Sequence, residues 1–215
     1  MALLGVLAAA ISGAWEGRDC VEEMYAAEYS QWAQDEWAAF YFEYRGLPSL
    51  INTFGGGPRK YANTRFDYGL AHPWDLKVHM ADSSTAPLND QVAMNEALDD
   101  GRGVGFLVLT GQVEYDDGDF RAWQREFRAE HGKVAKVRVD APKYVRKSKP
   151  RFVPSILESF FIADRDALDA ALASGVVREM RQGRQTSGAL RPPKYSLDLV
   201  KARWDGSLLV GQVPI

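Results

Sequence analysis

The stretch from residue 64 to residue 80, TRFDYGLAHPWDLKVHM, most constrains the fold, because apolar and polar residues alternate along it. The apolar positions are Phe66, Tyr68, Leu70, Trp74, Leu76, Val78 and Met80. The positions between them hold Arg65, Asp67, Gly69, Pro73, Asp75, Lys77 and His79. Alternation of this kind predicts two half-buried strands. Turn residues from Gly69 to Pro73 predict that the strands form an antiparallel hairpin.

The register of this hairpin predicts a cluster of charges. With the turn centred near Ala71, Asp67 lies opposite Asp75 and Arg65 lies opposite Lys77. Directly opposed residues have Cβ atoms about 4.5–5.5 Å apart, so two such carboxylates repel each other unless a cation joins them. Mg²⁺ is held by one or two carboxylates together with water and phosphate oxygens. The alternative is a surface hairpin with exposed cross-strand ion pairs, each worth about 0–1 kcal/mol.

Asp67, followed by Asp75-Leu76-Lys77, resembles the signature of the PD-(D/E)xK nuclease superfamily, which includes most type II restriction endonucleases and many repair nucleases. Phe66 stands where the signature has proline, and the gap between the two aspartates is short for the family. The resemblance implies that Asp67, Asp75 and the carbonyl of Leu76 hold Mg²⁺. It also implies that Lys77 polarises the attacking water and that the products carry 5′-phosphate ends.

A glutamate on an upstream helix joins the metal site in several members of that superfamily. Glu43 stands in a predicted aromatic-rich helix over residues 19–45, off its apolar stripe. We therefore include Glu43 among the catalytic candidates. The alternative for Glu43 is a solvated helix acid.

The order of predicted elements indicates one α/β domain with a mixed sheet and flanking helices. After the helix at 19–45 come a strand (49–54), the hairpin (64–80), a helix (88–99), a buried strand (104–110), a helix (119–131) and a strand (133–139). This order matches the αβββαβ core of the resembled superfamily. We expect a single nuclease domain over residues 1–215, with a catalytic core at about 19–140 and a DNA-recognition elaboration at about 141–215.

The segments outside that core are also assigned from their patterns. They are an apolar core or dimer-interface helix (2–14), an extended basic loop (141–154), an amphipathic helix (154–174) and two edge strands (197–200 and 208–213).

Basic residues are concentrated even though the formal net charge is −3. The local field decides whether a surface attracts phosphates, and Arg and Gln pair with guanine and adenine edges. The candidate DNA contacts are Arg59, Lys60, Lys143, Arg146, Lys147, Arg181, Gln182, Arg184, Gln185, Arg191 and Lys194. The alternatives are a flexible connector for the glycine-rich segment before Lys60 and a polar surface loop for residues 181–194.

Other classes of site are excluded by the composition and motifs. The single cysteine excludes an internal disulfide framework and a cysteine-type zinc site. A phosphate-binding P-loop is absent, and the glycine-rich segment 101–105 precedes a strand rather than following one, so no nucleotide cofactor is expected. The apolar first stretch is too short to span a bilayer. We expect no membrane association and a cytoplasmic location.

These observations together predict a Mg²⁺-dependent type II restriction endonuclease that cuts double-stranded DNA. A homodimer is expected by analogy, because a two-fold protein mirrors a palindromic site. One alternative is a structure-specific repair or junction nuclease of the same fold. Another is a non-catalytic DNA-binding α/β domain.

Overall fold

The computed structural model describes residues 2–133, 147–183, 188 and 190–215. The described helices are α1 (Ala2–Ala10), α2 (Gly17–Ala26), α3 (Trp37–Phe54), α4 (Gln91–Asp99), α5 (Asp119–Glu130), α6 (Arg165–Ser174) and α7 (Leu199–Asp205). The described strands are β1 (Trp15–Glu16), β2 (Gly57–Tyr61), β3 (Thr64–Gly69), β4 (Pro73–Met80), β5 (Thr85–Asp90), β6 (Val104–Asp116), β7 (Ser148–Ile162), β8 (Val177–Met180), β9 (Lys194–Asp198) and β10 (Leu209–Pro214).

The strands form two sheets. The larger has the order β1-β7-β6-β4-β3-β2, with β10 also paired to β7, and the smaller has the order β5-β9-β8. In the larger sheet β4 runs parallel to β6, whereas β3 pairs with β4 and β7 with β6 in antiparallel fashion. This confirms the predicted α/β class with a mixed sheet and flanking helices.

The larger sheet is buried on both faces in its centre. One core includes Phe42 of α3 with Leu76 and Leu107 of the sheet. The other includes Phe106 and Val108 with residues of α4, α6, α7 and the smaller sheet. Because successive residues of β6 point to opposite faces, both cores need apolar residues from it. The predicted buried strand at 104–110 is confirmed.

The predicted hairpin is confirmed in its two strands and in its register beside the turn. The prediction of half-buried strands with one apolar face is wrong, since Phe66 and Tyr68 lie in different cores. Tyr68 pairs with Trp74 and Gly69 pairs with Pro73 across an antiparallel turn. The surface-hairpin alternative for its polar face is wrong, because Asp75 is only 3 % exposed. That face is covered from the smaller sheet, where Asn89 of β5 bonds to Lys77.

The single long helix predicted at 19–45 is wrong. The chain forms α2 and then α3, and Glu28 between them has a left-handed backbone with φ 55°. The predicted helix end at residue 45 is also wrong, since α3 continues to Phe54 and replaces the strand expected at 49–54. Gly46 instead permits close packing, because an added Cβ would lie 2.7 Å from Leu7 Cδ2 of α1.

The amphipathic helix predicted at 154–174 is half wrong. Its first part belongs to β7, and only α6 is helical. β7 pairs with β6 along its length and with β1 and β10 on its other edge, so long-range pairing overrides the local spacing.

Smaller differences concern element ends. The helix expected from Leu88 begins at Gln91, because the Asp90 side chain caps it by accepting from Ala93 N at 2.9 Å. The strand predicted at 197–200 is β9 followed by α7, and residues 148–154 of the predicted basic loop lie in β7.

Several terminal and helical predictions are confirmed. The helix at 119–131 and the strand at 208–213 correspond to α5 and β10, and α1 buries Leu4 and Leu7 in the core. The strand predicted at 133–139 falls almost wholly outside the described residues. Across the described residues, no helix has the length and apolar character needed to span a membrane.

Candidate active site

Asp67 connects β3 to β4 through its side chain. Next to the Tyr68–Trp74 pair, Asp67 Oδ2 accepts a hydrogen bond from the Leu76 N–H at 2.8 Å. The N–H and C=O of one strand residue point to the same edge. The carbonyl of Leu76 therefore faces the same edge of β4 as the Asp67 carboxylate, so these two oxygen donors of the predicted site are neighbours.

Lys77 and Asp75 form an ion pair on the covered face of β4. The Lys77 side chain as a whole is 24 % exposed. Lys77 Nζ also donates to Asn89 Oδ1 at 3.2 Å. Burial acts to lower the pKa of Lys77, but the ion pair with Asp75 and the charges of Asp67 and Glu43 outweigh it and raise that pKa. Lys77 is therefore a permanent cation at neutral pH.

Burial and mutual repulsion raise the pKa values of two acids in this cluster. The pKa of Asp67 rises to about 9, first through burial and then through the charges of Asp75 and Glu43. The pKa of Glu43 rises to about 7, first through burial and then through the charge of Asp75. The hydroxyl of Tyr29 donates to Glu43 Oε2 at 3.2 Å. Glu43 is thus a half-buried member of this electrostatic cluster, and the solvated-acid alternative is wrong.

The donor chemistry of the cluster suits a hard divalent cation. Within residues 2–133, 147–183, 188 and 190–215, no three His, Cys, Asp or Glu side chains form a group that could hold a metal ion. Glu43 therefore does not complete a three-carboxylate group with Asp67 and Asp75. The remaining set of two carboxylates and the Leu76 carbonyl is the oxygen-only type that Mg²⁺ uses with water and phosphate.

The smaller sheet adds Asn89 and Lys194 to the site. Burial lowers the pKa of Lys194, and the charge of Lys77 lowers it further, with Asp75 acting in the opposite direction. The structure thus brings Lys194, a predicted DNA contact, close to the catalytic candidates Lys77 and Asp75. Sequence reasoning missed Asn89, which follows the apolar residue Leu88. In the structure Asn89 is only 4 % exposed, and a buried asparagine side chain usually has a polar partner.

The other predicted DNA contacts are not gathered at the cluster by any described contact. Arg59 and Lys60 are exposed on β2, next to β3, and Arg59 donates to the carbonyl of Leu70 at 3.2 Å. Gln182 Nε2 donates to the Pro192 carbonyl at 3.1 Å. Three further candidates are exposed: Lys147, Arg181 and Arg191. Four lie outside the described residues: Lys143, Arg146, Arg184 and Gln185.

Comparisons with known proteins supply no relative. No family model, curated protein or solved structure matches this chain. The function of the chain is therefore inferred from the residues and geometry of the site itself.

Proposed function

We propose that this chain is a Mg²⁺-dependent, site-specific endonuclease that hydrolyses phosphodiester bonds of double-stranded DNA. The observation that carries the proposal is the position of Asp67 beside the buried Asp75 and its ion-pair partner Lys77, with Asp67 held by the hydrogen bond from Leu76 N–H. The order α3, β2, β3, β4, α4 and β6 supports a restriction endonuclease-like αβββαβ core, with β5 inserted before α4.

The excess of acid in this cluster supports a cation-binding role. Lys77 is the cation whose charge acts on both Asp67 and Glu43 among the described residues, and Lys194 is near enough to interact with Asp75. Burying unbalanced carboxylates is costly, so they either hold protons or gather a cation. A purely structural ion pair would gain nothing from the additional acids. A site that binds a divalent cation needs them.

The residues have distinct roles in the proposed reaction. Asp67, Asp75 and the Leu76 carbonyl would hold Mg²⁺, which when bound supplies charge neutralisation at the scissile phosphate and an acidified water. Lys77 orients the attacking water and stabilises negative charge that develops on the phosphate oxygens in the transition state. Lys194 adds a second positive charge beside the phosphate. In the metal-free protein the pKa of Glu43 is raised to about 7, first by burial, which makes Glu43 the candidate proton acceptor of the cluster.

The exposed basic residues supply the DNA-binding surface in this proposal. Arg59 and Lys60 lie on the edge strand β2, and Arg181 and Arg191 lie between β8 and β9 in the chain. Cations of this kind contact phosphates, while Arg and Gln side chains also read base edges. A homodimer remains our expectation, because a two-fold assembly would place two such sites on a palindrome.

The first experiment is digestion of plasmid and phage DNA with about 10 mM Mg²⁺, an excess suited to a weakly held, partly hydrated ion. Wild type is compared with Lys77→Ala and with Lys201→Ala, a matched control at an exposed lysine of α7. Discrete fragments from wild type and Lys201→Ala, and none from Lys77→Ala, are the expected result.

Other outcomes separate the alternatives. Cleavage confined to branched or damaged DNA would favour a structure-specific repair nuclease. DNA binding without Mg²⁺-dependent cleavage, with all three proteins folded, would favour the non-catalytic domain and overturn the proposal.

A further inference from the structure

Strand β5 contains a bulge beside the candidate site. Pro87 pairs with Ser196 and Asp90 pairs with Lys194, so two residues of β5 lie opposite the single residue Tyr195 of β9. A β-bulge of this kind redirects side chains. In a regular strand neighbouring residues face opposite sides, yet Leu88 and Asn89 are both buried, at 0 % and 4 % exposure. The bulge therefore allows Leu88 to enter the apolar core while Asn89 also turns inward.

Asn89 contacts the catalytic lysine candidate directly. Its Oδ1 accepts from Lys77 Nζ at 3.2 Å, while its Nδ2 is buried without a hydrogen-bond partner among the described residues. An asparagine with an unpaired buried donor is an unfavourable choice for packing alone. Among the described residues, the bond to Lys77 is the one polar contact that this side chain makes.

The backbone on either side of Asn89 is held in place. Asp90 caps α4, and the next residue, Gln91, donates from its backbone N–H to the Pro193 carbonyl at 3.0 Å. Gln91 Nε2 also donates to the Lys194 carbonyl at 3.3 Å. These bonds fasten the end of β5 to the start of β9. The amide of Asn89 is thus presented to Lys77 from a fixed support.

We propose that Asn89 is a positioning residue that orients the Lys77 ammonium for catalysis. An ammonium has three donors. Asp75 forms an ion pair with the ammonium from β4 and Asn89 accepts one of its donors from β5, which leaves a third donor for another acceptor. That third donor is the one available to a water or a phosphate oxygen. The catalytic part of this inference rests on the proposed nuclease function, whereas the restraint on Lys77 does not.

The test compares Asn89→Ala with Asn89→Asp, which keeps an acceptor at the same position. The matched control is Asn95→Ala, since Asn95 accepts one long side-chain hydrogen bond, from Tyr195 at 3.4 Å, and does not contact Lys77. Steady-state cleavage gives kcat and KM separately. The order of the Lys77 side chain is measured by ¹³Cε relaxation without metal or DNA, with the signal assigned through Lys77→Arg.

We expect Asn89→Ala to lower kcat about tenfold to a hundredfold with KM nearly unchanged, the scale of loss that a displaced catalytic group causes. The Lys77 Cε becomes more mobile in that variant. Asn89→Asp restores the order of Lys77, and Asn95→Ala changes neither quantity. Thermal unfolding confirms that each variant is folded. Asn89→Ser, with a hydroxyl too short to reach Lys77, replaces Asn89→Ala if the latter does not fold.

Two results overturn the inference. Unchanged Lys77 mobility in Asn89→Ala would show that the hydrogen bond does not restrain the ammonium. A fall in kcat that Asn95→Ala reproduces would show a general effect of weakened packing. If wild type cleaves no DNA while Lys77 mobility still depends on Asn89, the nuclease proposal fails and the restraint on Lys77 stands.

Discussion

At the scale of single residues, the environment of each charge decides its chemistry. Asp67 and Glu43 are carboxylates with raised pKa values, while Asp99 at the exposed end of α4 has its pKa lowered by a hydrogen bond from Arg165. Burial and like charge favour the proton in the first case, and a cation favours the carboxylate in the second. The same type of group thus keeps its proton in a buried acid cluster and ionises in a surface ion pair.

The raised pKa values predict how the stability of the metal-free protein depends on pH. Unfolded acids release their protons near pH ~4, whereas folded Glu43 keeps its proton to about pH 7 and folded Asp67 to about pH 9. The folded state therefore binds more protons in this window, and the free energy of unfolding falls as pH rises through it. We expect the melting temperature in EDTA to be at least about 2–4 °C lower near pH 9 than near pH 5.

The variant Asp67→Asn checks the source of that dependence. This variant removes Asp67, whose pKa is raised further than that of Glu43. The melting temperature of the variant is therefore expected to depend less on pH. The exposed acid Glu126, changed to Gln, serves as the control. Parallel curves for wild type and Asp67→Asn would contradict the prediction.

An ion pair with one buried partner gives a second prediction at this scale, since the Arg203 side chain is 37 % exposed. Arg203 Nε and Nη2 each donate to Glu158 at 2.6 Å, and Glu158 is 0 % exposed. Arg203→Ala would leave a buried carboxylate without its cation, which costs about 3 kcal/mol of unfolding free energy. Urea titration measures the loss. Arg165→Ala, which breaks an exposed pair with Asp99, is expected to cost much less. Equal losses would show that burial does not govern the effect.

At the scale of elements, pairing between distant segments overrides local pattern. β7 has helical spacing of apolar residues, yet it lies between β6 and the strands β1 and β10. Residues 104–111 of β6 are buried, so the backbone N–H and C=O groups along the edges of this strand need hydrogen-bond partners. A neighbouring strand provides those partners, whereas a helix would not.

Replacing two glycines by alanine tests the packing of these elements, because one replacement is expected to lower stability and the other to raise it. A Cβ on Gly111, at the irregular register between β6 and β7, would lie 2.5 Å from the carbonyl oxygen of Val153. Gly111→Ala therefore forces backbone movement and is expected to cost about 1–3 kcal/mol. Gly5, within α1, has nothing within 4 Å of an added Cβ. Gly5→Ala is expected to stabilise by up to about 1 kcal/mol. Chemical denaturation of both variants measures the contrast, and a lower stability of both would contradict it.

At the scale of the whole molecule, the distribution of charge matters more than its sum. A chain with a formal charge of −3 attracts DNA only through a local basic surface. Such a surface neutralises phosphates and releases counterions, so DNA affinity falls with salt. The exposed residues Arg59 and Lys60 on the edge strand β2 are candidates for this role.

Replacement of Arg59 and Lys60 by alanine is expected to weaken DNA binding without Mg²⁺. The slope of log affinity against log salt should fall by about 0.9 for each phosphate that the variant no longer neutralises. Fluorescence anisotropy at several salt concentrations measures that slope. Lys201→Ala is the control on a distant helix. An unchanged slope in the double variant would place the DNA-binding surface elsewhere.

Sedimentation of the same proteins, free and with DNA, checks the expected homodimer.

The sequence by itself determined the local features of the site. The alternation over residues 64–80 predicted both strands and the register beside the turn, because strand spacing and turn residues are local features. It thereby placed Asp67, Asp75 and Lys77 together before any tertiary contact was known. The buried strand at 104–110 and the helix α5 were also predicted from the pattern of neighbouring residues.

Only the tertiary structure decided what surrounds those residues. The smaller sheet buries the polar face of β4 and brings Asn89 and Lys194 to Lys77, while pairing with β6 turns residues 154–162 into a strand. Tyr29 contacts Glu43 because α2 ends and the chain turns before α3 begins. These contacts join residues far apart in the chain. Their energies depend on which surfaces meet, and local spacing carries no information about that.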